Sequence, residues 1–582
     1  MTSGLHVQVL VVGAGPVGLT LAMELASRGI HTLVAEMRPR DQLPSVKCNH
    51  ISARSMEIFR RLGVAAQLRD AGLPADYPND ISYRVSFTGR ELSRIPIPCR
   101  RDRYTATGGP DTDWPTPEPP HRINQIYIEP VLVSHAETFP RLTLLNRVAI
   151  GRFEQDENGV TAYGRKLDTD DEISIRADYM VGCDGGRSEV RKAIGSRLVG
   201  TAVVQRVQST YINAPSLLGL TTLKPAWSTF SLNPRRSGNV YAIDGKENWL
   251  IHNYLKPDEV SFEAIDRDWA LRAILGVGPD FKYQIIRKED WIGRRLVADR
   301  FRDRRVFICG DAAHLWVPMA GYGMNAGIAD AENLAWLLAA HLDGWAPAGI
   351  LDAYESERQP ITEQVSKFAM NHAIALSRQR GEVPSNIDDD DEAGVLAREE
   401  LGRKAYDLNV QQYCCGGLNF GYFYDNSPII AYDGASAPSY GMADFMQSTV
   451  PGCRVPHIWL DDGRSLYDVL GRNYTLIRFH PSIEVHGLTA AAAALGVPLE
   501  VRDVSAKEAA GVYDTKLVLS RPDRHVAWRG NESPADPAGL IRLVTGREID
   551  RRSAPRAVRD QRIDLSEEYE ASEAEVDPPL PA

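Results

Sequence analysis

Apolar positions set out the organisation of the chain before any motif is consulted. Residues 7–12 are an unbroken apolar run, residues 16–28 repeat apolar positions at helical spacing, and residues 31–36 are a second apolar run. That order predicts strand, helix and strand of a parallel sheet, because strands covered on both faces read as continuous hydrophobic runs. Ser52 is placed to cap a helix running to Leu62. The pattern then breaks at residues 108–120, rich in Pro, Gly and Asp, and irregular stretches of that length are usually functional or mobile. Between about residues 206 and 290 the pattern turns to β, and the runs 239–243 and 249–254 around the turn dipeptide Asp244-Gly245 predict a hairpin in an inserted antiparallel sheet. Residues 306–309 return to a short buried strand. Residues 325–341 predict an amphipathic helix with Ile328, Ala331, Leu334, Ala335 and Leu338 on one face. The acidic run 388–392 reads as a solvated loop between two helical stretches. Beyond Pro428, apolar runs at 475–479, 516–520 and 526–528 predict a separate small α/β domain ending near Gly546, followed by a charged, frayed tail over 547–582.

Composition narrows the class. At 582 residues the chain exceeds one ordinary core, so two or three domains are expected. A formal charge of −11 argues against nucleic acid or a membrane surface as partner. The start has no basic segment or cleavage site, and no stretch of about 18 apolar residues follows, so a cytoplasmic location is expected. The 7 cysteines, odd in number and without a CxxC pair, indicate neither a disulfide framework nor a metal site.

Three motifs carry chemistry. Gly13-Ala14-Gly15-Pro16-Val17-Gly18 joins the first strand to the first helix, with Glu36 ending the second strand. Gly13 permits the tight turn, Gly15 lets a pyrophosphate approach the backbone, Gly18 lets helix and strand pack, and the helix N-terminus favours phosphate. Glu36 is placed to accept from ribose hydroxyls. Two later strand ends carry an acid beside glycine: Cys183-Asp184-Gly185-Gly186-Arg187-Ser188, and Gly310-Asp311-Ala312-Ala313-His314, then Pro318 and Gly321-Tyr322-Gly323-Met324-Asn325 opening a helix. The first motif alone leaves FAD and NAD(P) equally open.

In that order these motifs resemble the class A flavoprotein monooxygenases, typified by p-hydroxybenzoate hydroxylase, and more closely the larger phenol and polyketide hydroxylases. The stretches PGCRVPHIWLDDGRSLYDVL and PDRHVAWRG look like their thioredoxin-like C-terminal domain. The resemblance covers essentially the whole chain. It implies an α/β fold: a discontinuous Rossmann-like FAD-binding domain (1–78, 121–200, 291–380), a substrate-binding β domain (79–120, 201–290), a helical connection (381–427) and the thioredoxin-like domain (428–546). It also implies that FAD takes electrons from transiently bound NADPH or NADH, adds O2 at flavin C4a, and hydroxylates a phenolic or polyketide-type ring. A homodimer is the common state of such relatives.

Carried over residue by residue, the resemblance places Glu36 at the ribose, and Arg38 and Arg54 near the adenosine and pyrophosphate. Gln125 and Asp311 fall at the ribityl chain, and Gly323, Met324 and Asn325 at the flavin N1 and O2 edge. Asp184 and Arg187 belong to the motif at the boundary of FAD and nicotinamide binding. His50 and His121 are the candidates for a base that deprotonates the phenol, and Pro318 would lie by the reacting flavin edge. Each also has a structural reading, and relatives' histidine and aspartate are replaced here by Asn49 and Arg122. Trp227, Phe230, Tyr241 and Trp249 are candidates to wall an aromatic substrate, against plain sheet packing. Two other readings remain: a Baeyer–Villiger, epoxidising or antibiotic-modifying enzyme of the same fold, and a non-catalytic flavin-binding protein.

Overall fold

The computed structural model describes residues 5–318 and 321–548. One sheet orders its strands Arg302–Asp303, Val306–Ile308, Glu172–Gly182, Leu5–Val12, Thr32–Glu36 and Leu142–Asn146, the last five parallel. Thr32–Glu36 is buried throughout, as a strand covered on both faces requires. The Pro16–Ser27 helix crosses one face, and the Tyr322–Leu342 helix packs on it.

That second helix corrects the sequence reading. It begins at Tyr322 and is buried on every side over residues 325–340, so it is an interior helix rather than an amphipathic one. Its polar residues found partners inside: Asp330 lies 2.7 Å from both His314 Nε2 and Arg358 Nε, and Glu332 accepts from Arg61 at 2.8 Å.

The second sheet runs His314–Trp316, Trp291–Ala298, Leu198–Asn213, Asn248–Tyr254, Gly238–Ala242, Ser228–Ser231, Ile81–Arg84, Glu91–Ile95. It therefore extends past the expected boundary at 290. The expected hairpin pairs Tyr241 with Leu250, but its turn is wider than a dipeptide: Asp244 Oδ1 accepts from the N–H groups of Lys246, Glu247 and Asn248. Successive side chains alternate between faces. Tyr241, His252, Tyr254 and Trp291 thus share one face, which looks toward the first domain through Leu250, Val46 and Tyr127. The opposite face is covered by the Arg267–Leu275 helix through Leu271 and Ile274.

The C-terminal sheet orders Leu499–Asp503, Tyr474–Arg478, Leu517–Ser520 and Val526–Gly530. One face of this sheet packs a core of its own through Ile477, Val518 and Val526, and the other joins the core of the first domain, where Tyr474 stands 6.2 Å from Trp336. A buried ionic cluster reinforces the joint, with Arg521 donating to both Glu357 oxygens at 2.6 and 2.8 Å. Glu357→Ala leaves Arg521 with Asp523 alone, 2.7 Å away, and the loss of the bonds to Glu357 is expected to cost about 1.5–3 kcal/mol. Chemical denaturation measures it, and a loss under about 1 kcal/mol, the worth of an exposed pair, would deny the cluster that role. Most of the expected frayed tail lies outside the described residues, although Arg547 donates to the Leu495 carbonyl at 2.8 Å. Among the described residues no helix is long and apolar enough to cross a membrane.

Burial keeps the rings of His50, His121, His252, His372, His457 and His525 neutral, with His372 pushed down to about 4. In the unfolded chain such rings take up protons near pH 6.5, so below that pH the unfolded state binds more protons than the folded one. Stability then falls by up to about 1.4 kcal/mol per pH unit for each ring. The melting temperature is expected to hold above about pH 7 and to drop steeply from about pH 6.5 toward pH 4. A flat profile there would mean that the folded protein protonates these rings.

Candidate active site

The three glycine motifs meet at the C-terminal ends of adjacent parallel strands, where open α/β sheets bind ligands. Cys183 N–H donates to the Val12 carbonyl at 2.8 Å, and Cys309 N–H to the Gly182 carbonyl at 2.9 Å, tying the three strand ends together. Gly13 has φ +104°, and a Cβ there would lie 2.4 Å from the Cys183 carbonyl oxygen. A Cβ on Gly18 would lie 2.0 Å from the Gly13 oxygen, whereas one on Gly15 would meet nothing within 4 Å. Two glycines thus permit close packing, and the middle one faces open space at the start of the Pro16–Ser27 helix.

Glu36 reaches back to this loop and accepts from the Ala14 N–H at 2.7 Å. Burial pushes its carboxyl upward, but the Arg38 guanidinium and the backbone donors outweigh that and hold it below the usual range. A hydrogen-bonded chain extends outward: Arg38 donates to Glu36 and to Glu129 at 3.1 Å, and Gln125 donates to Glu129 at 2.5 Å. Opposite, Arg191 donates to the carbonyls of Gly186 (2.8 Å) and Ala312 (3.3 Å), joining the second motif to the third. Asp311 is exposed at the end of Val306–Ile308.

The Tyr322–Leu342 helix aims its N-terminus into the same space. Gly321 caps it with φ +64°, and a Cβ on Gly323 would meet nothing within 4 Å. Asn325 accepts from Ser52 N–H at 2.8 Å and donates to the carbonyls of His50 (3.2 Å) and Gly321 (2.6 Å). His50 therefore sits against the helix start. The ribbon formed by His50–Ile51 and His121–Arg122 pairs His50 with Arg122. Arg122 donates to His50 Nδ1 at 2.5 Å and to the Tyr413 carbonyl at 3.1 Å, and its guanidinium lies 5.1 Å over the Trp227 ring. Trp227 leads on to Tyr241 at 5.4 Å, and Tyr241 to His252 at 5.4 Å. An aromatic floor thus runs from the helix N-terminus across the inner face of the second sheet.

A family model described as an FAD binding domain matches residues 6–369. A second, described as the C-terminal domain of aromatic-ring hydroxylases, matches residues 448–546. The chain belongs to the FAD-dependent aromatic-ring hydroxylases. The FAD-dependent monooxygenase apdD of Emericella nidulans is 29% identical, over 90% of this chain and 87% of its own. The rebeccamycin biosynthetic enzyme RebC, solved with reduced flavin, is similar at 32% identity and TM-score 0.84, over 94% of this chain and 100% of RebC. Aklavinone-11 hydroxylase, solved with FAD and aklavinone, is similar at 28% identity and TM-score 0.77, with coverage of 94% and 100%.

Within this hydroxylase, the structure gathers most of the residues singled out in the sequence and excludes others. Gly13, Gly15, Pro16, Gly18, Glu36, Arg38 and Gln125 lie together on the first-motif side, and Gly310, Asp311, Gly321, Gly323, Met324 and Asn325 on the helix side. Pro318 is exposed beside the latter. Asp184 accepts from Ser188 Oγ at 2.5 Å and Val190 N–H at 3.1 Å, which fixes the turn that presents the exposed Arg187. Arg54 departs from its expected place near the pyrophosphate: it is buried, 3.6 Å from Glu332 and 3.0 Å from His525 Nε2, in the joint with the C-terminal domain.

His121 is excluded as a base, because it faces away from His50 and its Nε2 meets the Leu68 carbonyl at 2.9 Å. His50 is at the site, but a guanidinium only donates, so its bond to Nδ1 assigns the ring proton to Nε2. Burial first, then Arg122, Arg103 and His121, hold this ring well below the ordinary histidine range. His50 is therefore a neutral donor rather than the expected base. Trp249 is also excluded: it lies on the outer face, 5.3 Å from Phe87, and cannot wall the site. Phe230 is on the inner face but stacks on Tyr83 at 5.1 Å within the core. The sequence reading missed Glu129, Tyr254, Trp291 and Tyr413. Tyr254 had a signal, alternating with His252 along one strand; Tyr413 closes a helix from outside the sheet and had none.

Proposed function

We propose that this hydroxylase oxygenates an electron-rich, phenolic or polyketide-type ring lying on the inner face of the second sheet. The observation that carries this is the continuous aromatic floor of Trp227, Tyr241 and His252, joined through Arg122 and His50 to the glycine-rich start of the Tyr322–Leu342 helix. The residues present fit FAD. Open backbone at Gly15 and the helix N-terminus suit the pyrophosphate, Glu36 with Arg38 beside it suits the adenosine ribose, and Gln125 and Asp311 suit the ribityl chain. The N–H groups at Gly323, Met324 and Asn325 suit the negative edge of a reduced isoalloxazine. Bound FAD supplies redox chemistry: it takes electrons from NADPH or NADH and passes an oxygen atom from O2 to the substrate.

The protein's own residues do the rest. The aromatic floor excludes water from the reacting edge. The His50 Nε2–H is a donor with no partner among the described residues, held in place by Arg122, and it orients a substrate oxygen. With His50 donating rather than accepting, it favours the phenolate oxygen as acceptor, and the Arg122 charge stabilises that anion. Anaerobic stopped-flow reduction by NADPH and NADH, with and without phenols, naphthols and polycyclic quinones, tests this reading. Reduction accelerated at least about tenfold by one ring class is expected, since a bound ring completes the site. Equal rates with every ring would contradict it.

A further inference from the structure

Arg380 ends the helix Asp352–Gly381 and stands at the other end of the aromatic floor. Its guanidinium lies 4.2 Å over the ring of Tyr254, two residues along the inner face from His252. One of its nitrogens donates to Gln205 Oε1 at 2.9 Å. On its helix, Arg380 follows Ala369, Ala373 and Leu376 at the spacing of a single face, and that face packs beside Val317 and Val204 at the edge of the site.

Arg380 is half-buried and, among the described residues, lacks a counter-charge. The buried arginines Arg236, Arg358 and Arg521 each meet a carboxylate, at 2.8, 2.7 and 2.6 Å. Among the described residues Arg380 has no such partner, and the neighbour that acts on it is the Tyr254 phenol; burial accordingly lowers its pKa. Arg122, at the opposite end, is already committed to His50 and the Tyr413 carbonyl, with Asp111 at 3.9 Å. Drawing a guanidinium partly out of water without supplying an anion is costly, and N–H donors held over an aromatic ring suit a planar anion.

We propose that Arg380 anchors an anionic group carried by the substrate, a carboxylate or an ionised enol attached to the aromatic ring. The substrate is therefore an acidic aromatic, bound with the acid at Tyr254 and the oxidised ring toward His50. This rests on the aromatic reading of the site given above.

The test uses the full-length FAD-loaded protein, wild type, Arg380→Gln and Arg380→Lys, titrated with matched probes and followed by perturbation of the flavin absorbance. The pairs are 3-hydroxy-2-naphthoate against its amide, and 2-hydroxy-1,4-naphthoquinone, an acidic enol, against 1,4-naphthoquinone. Wild type is expected to favour the acid of one pair by about 10- to 100-fold, the range of a charge-assisted hydrogen bond. Which pair shows it distinguishes carboxylate from enol. In Arg380→Gln the preference is expected to fall to about threefold or less with the neutral probe unchanged, and Arg380→Lys to recover part of it. Because the charge is uncompensated, the melting temperature of Arg380→Gln is expected to equal or exceed that of wild type. No preference in wild type, a preference surviving in Arg380→Gln, or a melting temperature lowered by several degrees would each overturn the proposal while neutral rings still bound. Failure of every ring to bind would overturn the aromatic reading together with it.

Discussion

The Gly15→Val protein is expected to fold normally and to emerge without FAD, whereas Gly18→Val is expected not to fold. Gly15 has φ −70° and ψ 175°, ordinary extended backbone, and a Cβ there meets nothing within 4 Å. A side chain at that position therefore occludes only the space in front of the helix N-terminus. At Gly18 the added atom falls 2.0 Å from the Gly13 oxygen, and Gly13 is tied to the second strand by its N–H donating to the Ala35 carbonyl at 2.8 Å. The expected loss of FAD affinity in Gly15→Val is about 100-fold or more, roughly 3 kcal/mol, since the pyrophosphate is kept from its N–H donors. Flavin fluorescence titration of the apoprotein measures it, with thermal denaturation as the folding control. A Gly15→Val protein that binds FAD as wild type does would place the phosphates elsewhere.

Arg122→Met is expected to lower kcat by about 100-fold while leaving FAD bound, because it removes the group that orients His50, proposed to hold the substrate oxygen. Methionine keeps apolar contact with Trp227 but frees His50 Nδ1, so the ring proton is no longer confined to Nε2. The pH profile separates this role from mere packing. In wild type the guanidinium helps to hold His50 below the histidine range, so no His50 titration shows near neutrality. Removing that cation raises the His50 pKa while burial, the larger cause, still holds it below its ordinary value, and the variant is expected to gain a rate transition at acid pH that wild type lacks. An unchanged pH profile would show that Arg122 serves packing alone.

The glycine motifs were legible because each glycine answers a local demand: a positive φ at Gly13, a backbone contact at Gly18, open space at Gly15. Ser52 was legible for the same reason, its side chain accepting from the Ser55 N–H. The character of the Tyr322–Leu342 helix was not, because Asp330, Glu332 and Asn333 look like a solvated face until His314, Arg358, Arg61 and Glu357 arrive from distant segments. Alternation along the hairpin separates Tyr241 from Trp249 only once the register across the Asp244 turn is known, and nothing local states which face is inner. The pairing of His50 with Arg122 spans 72 residues and reverses the expected role of the histidine. Arg380 carried no signal, since an unpaired cation is visible only when its surroundings are.

Bound FAD is expected to pass one atom of O2 to an aromatic substrate. Turnover under 18O2 tests it most directly, with the FAD-loaded protein, NADPH or NADH, and the ring that most accelerates flavin reduction. A product heavier than its substrate by one 18O atom is expected, formed in proportion to the nicotinamide oxidised. Nicotinamide oxidation that yields hydrogen peroxide alone with every accelerating ring, or a product whose new oxygen comes from water, would contradict it.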